Sequence, residues 1–329
     1  MMTTFFATLT PMLTLFICIA IGFVFTKLKI LPEGSSKVMA KMEIWIFSPA
    51  LSFMTMVRFC TLETIGEHFI NITLGVIGVA FSMGVAIFLS RFFAKKKSYD
   101  RGVYAYALAF ANGGYMGDPV VLALFGELAL SYYKLFYLPF SLMINSWGIS
   151  VLTPGTGKRN NFWRKLINPP TVAMVAGIVV GLSGIGKYMP AFVTGSLDTL
   201  KACMGPVAML LAGATIAKYS LLSMLKNKKV YAVTALKLVL QPILLVSLLF
   251  AVKTLANIAF NLSIGNEVVF LAFFASASAI GLNTVVFPEA YGGDPETGAG
   301  LALVSHTLCI ITIPVMYAIM VAIFGTPFV

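Results

Sequence analysis

The sequence predicts an all-α polytopic membrane protein with ten transmembrane helices in two inverted five-helix repeats. Three observations lead there. Of 329 residues, 59% are hydrophobic and only 11% charged, and the mean hydropathy is +0.93, so too little polar surface exists to coat a globule in water. The apolar residues fall into long runs without the period-two alternation of a barrel strand. Basic residues cluster in every second gap between those runs.

Crossing about 30 Å of hydrocarbon takes roughly 18 or more apolar residues in a helix. The runs place spans at 5–26, 38–57, 69–92, 102–125, 130–152, 169–186, 197–217, 230–252, 266–289 and 298–324. The first is followed, not preceded, by basic residues (Lys27, Lys29), which reads as a mature helix and not as a secretory leader. Lys27, Lys29, Lys37 and Lys41 flank the first gap. Arg91, Lys95, Lys96, Lys97 and Arg101 flank the third, Lys158, Arg159, Arg164 and Lys165 the fifth, and Lys218, Lys226, Lys228 and Lys229 the seventh. These are most of the 23 Lys and Arg residues, and the positive-inside rule puts them in the cytoplasm with both termini outside, in the plasma (inner) membrane. The ninth gap breaks the pattern with Glu289, Asp294 and Glu296, but acidic residues weigh little in the rule. The net charge of +11 is spread over these short loops, which suits anionic lipid headgroups and not nucleic acid.

The polar stretch 153–168 separates residues 1–152, holding five spans, from residues 169–329, holding five more. An odd number of spans per half inverts the second half relative to the first, a design common among secondary transporters. Internal likeness agrees: Ser48-Pro49-Ala50-Leu51 in span two against Gly205-Pro206-Val207-Ala208 in span seven, and small residues leading to an Asn and then a Pro in spans four and nine.

Spans four (ALAFANGGYMGDPVVLALFGE) and nine (FFASASAIGLNTVVFPEAYGG) carry the functional signal. Gly113, Gly114, Gly117 and Pro119 in one, and Gly281 and Pro288 in the other, predict an interrupted helix, because proline removes a donor and clashes with the turn before it. Freed backbone groups inside a membrane cost several kcal/mol each unless protein, water or ligand satisfies them. Breaks at matching positions of two repeats therefore predict a binding site. Helix N-termini at the breaks favour an anion, and the amides of Asn112 and Asn283 can donate to a carboxylate without carrying charge. Gly113, Tyr115, Met116 and Thr284 are expected around the same pocket. Gly117, Pro119, Gly281 and Pro288 are expected as hinge positions.

Ionisable residues inside spans are costly and usually functional. Asp118 reads either as a coupling group for a proton or sodium ion or as the cap of the second half-helix. Lys237, deep in span eight, reads as a partner for Asp118 or for the anion. Glu43 is expected either to reach the cytoplasmic surface or to serve coupling, and His306 to be hydrogen-bonded structure or a proton relay. Cys18, Cys60, Cys203 and Cys309 stand singly, without metal-ligand spacing. No metalloprotease, nucleophile-elbow or phosphate-loop pattern is present, so neither an enzyme nor an ATP-driven pump is expected, and no cofactor.

The segments NGGYMGDPVVLALFGELAL, Asn168-Pro169-Pro170, GPVAMLLAGATIA and NTVVFPEAYGGDPETGAGLALVSHTLCIITIPV together resemble the auxin efflux carrier family, in the form of a small bacterial-type permease. The resemblance runs over nearly the whole chain. It implies a scaffold of spans 1, 2, 6 and 7, and a mobile part of spans 3–5 and 8–10. It also implies crossover at Asn112, Pro119, Asn283 and Pro288, and elevator-like carriage of carboxylate anions. The short central linker departs from the long loop of plant members, and Asp118 beside Pro119 argues against auxin as substrate. The expected function is thus a secondary carrier of small organic anions, with a sodium/proton exchanger working through Asp118, or a ligand sensor that transports nothing, as alternatives. A homodimer is left open as its assembly.

Overall fold

A computed structural model describes residues 2–95, 98–153, 169–220, 226–291 and 296–327. The expected cytoplasmic linker beyond Thr153, and with it Lys158, Arg159, Arg164 and Lys165, lies outside the described residues, as do Lys96, Lys97 and Asp294.

The described chain is helical, and its one β-type pairing is the isolated bridge discussed below. The helices are α1 (Met2–Lys27), α2 (35–59), α3 (Ile65–Leu89), α4 (Tyr99–Ala109), α5 (113–125), α6 (127–152), α7 (Pro169–Ser183), α8 (Ala191–Ile216), α9 (Lys228–Phe260), α10 (Glu267–Ala277), α11 (Asn283–Tyr291) and α12 (Glu296–Phe324).

By length and composition six stretches among the described residues can cross a membrane: Thr8–Lys27, Phe69–Phe92, Gly113–Leu152, Ala191–Ile216, Lys228–Phe260 and Glu296–Phe324. The sequence leads one to expect ten, and the shortfall has identifiable causes. Gly113–Leu152 is counted once, yet 40 residues at about 1.5 Å each would measure about 60 Å, twice the hydrocarbon thickness. Gly126, at φ 80° and ψ −174°, breaks it into α5 and α6. This conformation is open to glycine and strained for other residues. Helix α2 carries Lys37, Lys41, Glu43 and Arg58, α4 and α10 are short because interruptions end them, and the described part of α7 is 15 residues long.

Proline sets a second regularity. Glu43–Phe47, Gly113–Gly117 and Leu236–Leu240 each form a widened π-type turn, and each is followed by a residue and then a proline: Pro49, Pro119 and Pro242. The ring of proline clashes with the carbonyl four residues earlier, and widening the turn relieves that contact. Ile144–Gly148 widens likewise without a proline after it.

Helix α1 lies along α8 and also against α12, α2 lies along α7 and α8, α3 packs on α4 and α6, and α9 packs on α10. Close approach depends on glycine. A Cβ at Gly213 would strike the Ile19 carbonyl, and one at Gly22 would strike the Leu210 carbonyl, so α1 and α8 touch backbone to backbone, a recurring way for helices to associate where lipid removes the hydrophobic drive. The centre is apolar on all sides: Val103 to Ala111 and Val268 to Ala277 are buried without interruption. Phe69, Phe88, Val175, Val179 and Ile258 are exposed on the outer helices, where a lipid belt would cover them.

Candidate functional site

Both expected interruptions are present. α4 ends at Ala109 and α5 begins at Gly113, while α10 ends at Ala277 and α11 begins at Asn283. The two gaps lie against each other. Ala111 and Ile280 form an antiparallel bridge, and the Asn112 N–H donates to the Ala279 carbonyl at 2.6 Å. The register is symmetric, since Pro119 and Pro288 each follow the bridge residue of their own half by eight positions.

The freed backbone groups are accounted for one by one. Tyr137 Oη donates to the Ala111 carbonyl at 2.9 Å, and Ser305 Oγ accepts from the Ile280 N–H at 3.0 Å. Thr284 Oγ1 donates to Gly281 O at 2.9 Å and is 3.3 Å from Gly298 O. Lys237 Nζ donates to Leu108 O at 3.3 Å, placing a cation at the C-terminal end of α4, where the helix dipole is negative. By contrast the N–H groups of Gly113, Gly114 and Tyr115 have no backbone acceptor among the described residues, whereas those of Met116 and Gly117 bond to Asn112 O.

Beside the paired gaps lies a cavity of about 210 Å³. Ala111 to Tyr115, Gly281, Asn283 and Phe287 form one wall; Ile44, Ser48 and Ser52 of α2, with Pro170, Thr171 and Met174 of α7, face them. α6 adds Lys134, Tyr137, Ser141 and Asn145. On α7 the lining residues Pro170, Thr171 and Met174 fall at the start of the helix, and on α2 they run through its middle, from Ile44 to Ser52.

Of the expected binding residues, Asn112, Gly113, Tyr115 and Asn283 line this cavity together with Gly281. Thr284 is buried behind the gap, holding Gly281 and Gly298. Met116 is also buried, its sulfur 3.9 Å from Cys309 Sγ. Pro119 packs toward Gly205, where an added Cβ would come within 3.3 Å of the proline ring.

The ionisable residues depart furthest from expectation. Asp118 bonds to Lys134 Nζ at 2.6 Å, neither to Lys237 nor to a backbone N–H as a cap. Both side chains are nearly buried, 4% and 9% exposed, and both reach the cavity. Lys237 meets neither Asp118 nor the space for an anion; it is fully buried, bonded to Leu108, and outside the cavity lining. Glu43 does not reach a surface. It is fully buried, and neither carboxylate oxygen has a hydrogen-bond partner among the described residues.

His306 joins the site through Asn112. Its Nδ1 is 2.7 Å from the Ala302 carbonyl, which can only accept, so Nδ1 carries the proton and the bare Nε2 accepts from Asn112 Nδ2 at 3.2 Å. The ring is thereby fixed as a neutral tautomer that aims the Asn112 amide. Lys134, Tyr137 and Ser305 were not foreseen. A lysine between Tyr133 and Tyr137 inside an apolar span was the available signal for the first two.

Helices suited to a bilayer, two mutually bonded interruptions and a cavity beside them that carries asparagine, lysine and tyrosine side chains fit a membrane transporter. The chain matches the family described as membrane transport protein over residues 7–160 and again over 156–317, and it belongs to that family, of the auxin efflux carrier type. It is also similar to an uncharacterized transporter of Methanocaldococcus jannaschii, 23% identical over 214 residues, which covers 64% of this chain and 69% of the relative.

Proposed function

We propose that this transporter is a secondary carrier of small organic anions such as carboxylates, moved by elevator-like alternating access, with the substrate held where the two interrupted helices cross. The observation that carries the reading is the cavity at the paired gaps. Into it face N–H groups at the start of α5 that have no backbone acceptor, the amides of Asn112 and Asn283, and the ammonium of Lys134. Backbone donors at a helix start favour negative charge. The Lys134 charge is matched by Asp118, so a bound carboxylate would meet dipoles more than net charge and could be released again.

In this reading the chain has ten membrane crossings in two inverted repeats, α4 with α5 and α10 with α11 each serving as one interrupted crossing. The symmetric register of Pro119 and Pro288 supports the repeat, as does the equal spacing from Ala111 to Tyr137 and from Ile280 to His306. The extensive packing of α1 on α8 and of α2 on α7 and α8 supports a scaffold against which the remaining helices move, with α1 also meeting α12.

A charge cluster supports alternating access. Arg58 bonds to Glu127 at 3.0 Å and Asp198 at 2.6 Å, and Lys201 bonds to Glu127 at 2.6 Å. It ties α2 and α8 to the start of α6, at the end of α2 away from Lys37 and Lys41. With the cavity taken to open toward the basic end and the latch closing the other, this is an inward-facing arrangement, given cytoplasmic basic loops.

A thermal-shift screen of purified protein against acetate, lactate, succinate and malate at two pH values tests the reading, because a ligand that binds the folded state raises its apparent stability. Stabilisation by one or more of these, lost in Asn283→Ala, is expected. Equal stabilisation of the variant would move the site elsewhere.

A further inference from the structure

Glu43 opens the widened turn Glu43–Phe47, directly before Ile44, the first residue of α2 to line the cavity's far wall. Its side chain is fully buried and both oxygens lack a hydrogen-bond partner. The other acidic side chain at the site, Asp118, has its lysine; Glu43 has none among the described residues. An isolated carboxylate ion in a dry interior costs so much that the group holds a proton instead. Intramembrane carboxyls of this kind mark ion pathways more often than architecture.

Its surroundings select the ion. The elements packed on this turn are the rest of α2, α7 and α8. α7 contributes no titratable side chain, and α8 has its Asp198, Lys201 and Cys203 toward its other end, with Asp198 and Lys201 in the latch. On α2 itself, Lys37, Lys41 and Arg58 are not ion-paired with Glu43, and Arg58 is held by Glu127 and Asp198. Tyr115 is a titratable neighbour of Glu43, and it lines the substrate cavity from the helix interruption. A sodium ion would need several oxygen ligands, and the two Glu43 oxygens have no hydrogen-bonding neighbour among the described residues to complete such a set. A proton needs only the carboxyl.

We propose that Glu43 is the proton-carrying group of this transporter: it holds a proton in the arrangement seen here and exchanges it with water when the interrupted helices shift against α2, so that proton and substrate movement are coupled. One O–H bond on the carboxyl is broken and one re-formed per cycle, with water as acceptor and donor. Its location explains the coupling. Ile44 and Ser48, one and five residues on, line the cavity, so a shift of the Tyr115 wall opens or closes the same space that Glu43 adjoins.

The inference rests on the proposed carrier function, and the test separates the two. Proteoliposomes loaded with a pH-sensitive dye are given radiolabelled acetate, succinate and malate in turn, and proton and substrate flux are recorded together. The wild type is expected to move protons in fixed proportion to substrate. Glu43→Gln, nearly the same shape as the protonated acid, is expected to lose at least tenfold of that proton-to-substrate ratio at whatever rate it transports. Glu43→Asp, which keeps a titratable carboxyl, is expected to retain coupling. A wild-type ratio preserved in Glu43→Gln, or wild-type substrate flux without proton movement, would overturn the assignment of Glu43 and leave the carrier standing. A wild type that moves none of the three substrates would overturn both.

Discussion

Breaking the Asp118–Lys134 pair is the sharpest structural test. The two groups meet at 2.6 Å with 4% and 9% of their side chains exposed, so water can do little to replace a lost partner. Lys134→Met keeps the apolar stem and leaves Asp118 as an uncompensated buried charge, an omission that costs about 3–5 kcal/mol. At roughly 2–4 °C per kcal/mol, as in soluble domains of comparable size, the apparent melting temperature should fall by about 10 °C. Asp118→Asn should cost a similar amount by stranding the lysine. The double variant Asp118→Asn/Lys134→Met removes both charges and should recover most of the loss, since replacing a whole buried pair is often neutral or stabilising. The assay is the fraction of monodisperse protein surviving a heating series in detergent, read for all four proteins as a double-mutant cycle. A double variant that loses the sum of the two single losses would show that the residues do not interact and refute the pairing.

Three further outcomes follow from the same geometry. His306→Leu strips the Asn112 amide of its acceptor; a loss of about 1–3 kcal/mol in stability and of carboxylate uptake is expected, with thermal melting and vesicle uptake as the readouts. Gly213→Leu forces a side chain onto the Ile19 carbonyl and should prevent recovery of folded protein on size exclusion, whereas Gly114→Cys, which meets open space, should fold. With the four native cysteines replaced, Gly114→Cys supplies a lone thiol on the cavity wall. Adding Glu127→Gln to that background cuts the latch held by Arg58 and Lys201 and should raise maleimide labelling at position 114 from the side opposite the basic loops; unchanged labelling would argue against a latch.

Much of the architecture was legible because lipid imposes it. Long apolar runs, proline and glycine at fixed places and basic loops carried the helices and both interruptions, down to Asn112 and Asn283 on the cavity. Partnerships were not legible. Asp118 finds Lys134 sixteen residues on, across the bend at Gly126, and no periodic pattern announces a pair separated by a kink. Lys237 lies deep enough in its span to suggest a substrate contact, yet the broken end of α4 supplies a carbonyl that claims it. The burial of Glu43 was hidden because a residue two turns into a helix lies at a surface only if its neighbours are short, and here α8 and α7 cover it. His306 lies far along the chain from Asn112, a contact that only the folding of α12 against the gap creates.

In the proposed carrier, substrate occupies the cavity between the two helix interruptions. The most direct measurement is counterflow of radiolabelled carboxylate in proteoliposomes, comparing wild type with Asn112→Ala and Asn283→Ala after each variant has been shown to be monodisperse. Counterflow by the wild type for at least one of acetate, lactate, succinate and malate is expected, with its loss in both variants. Wild-type counterflow in both variants would contradict it.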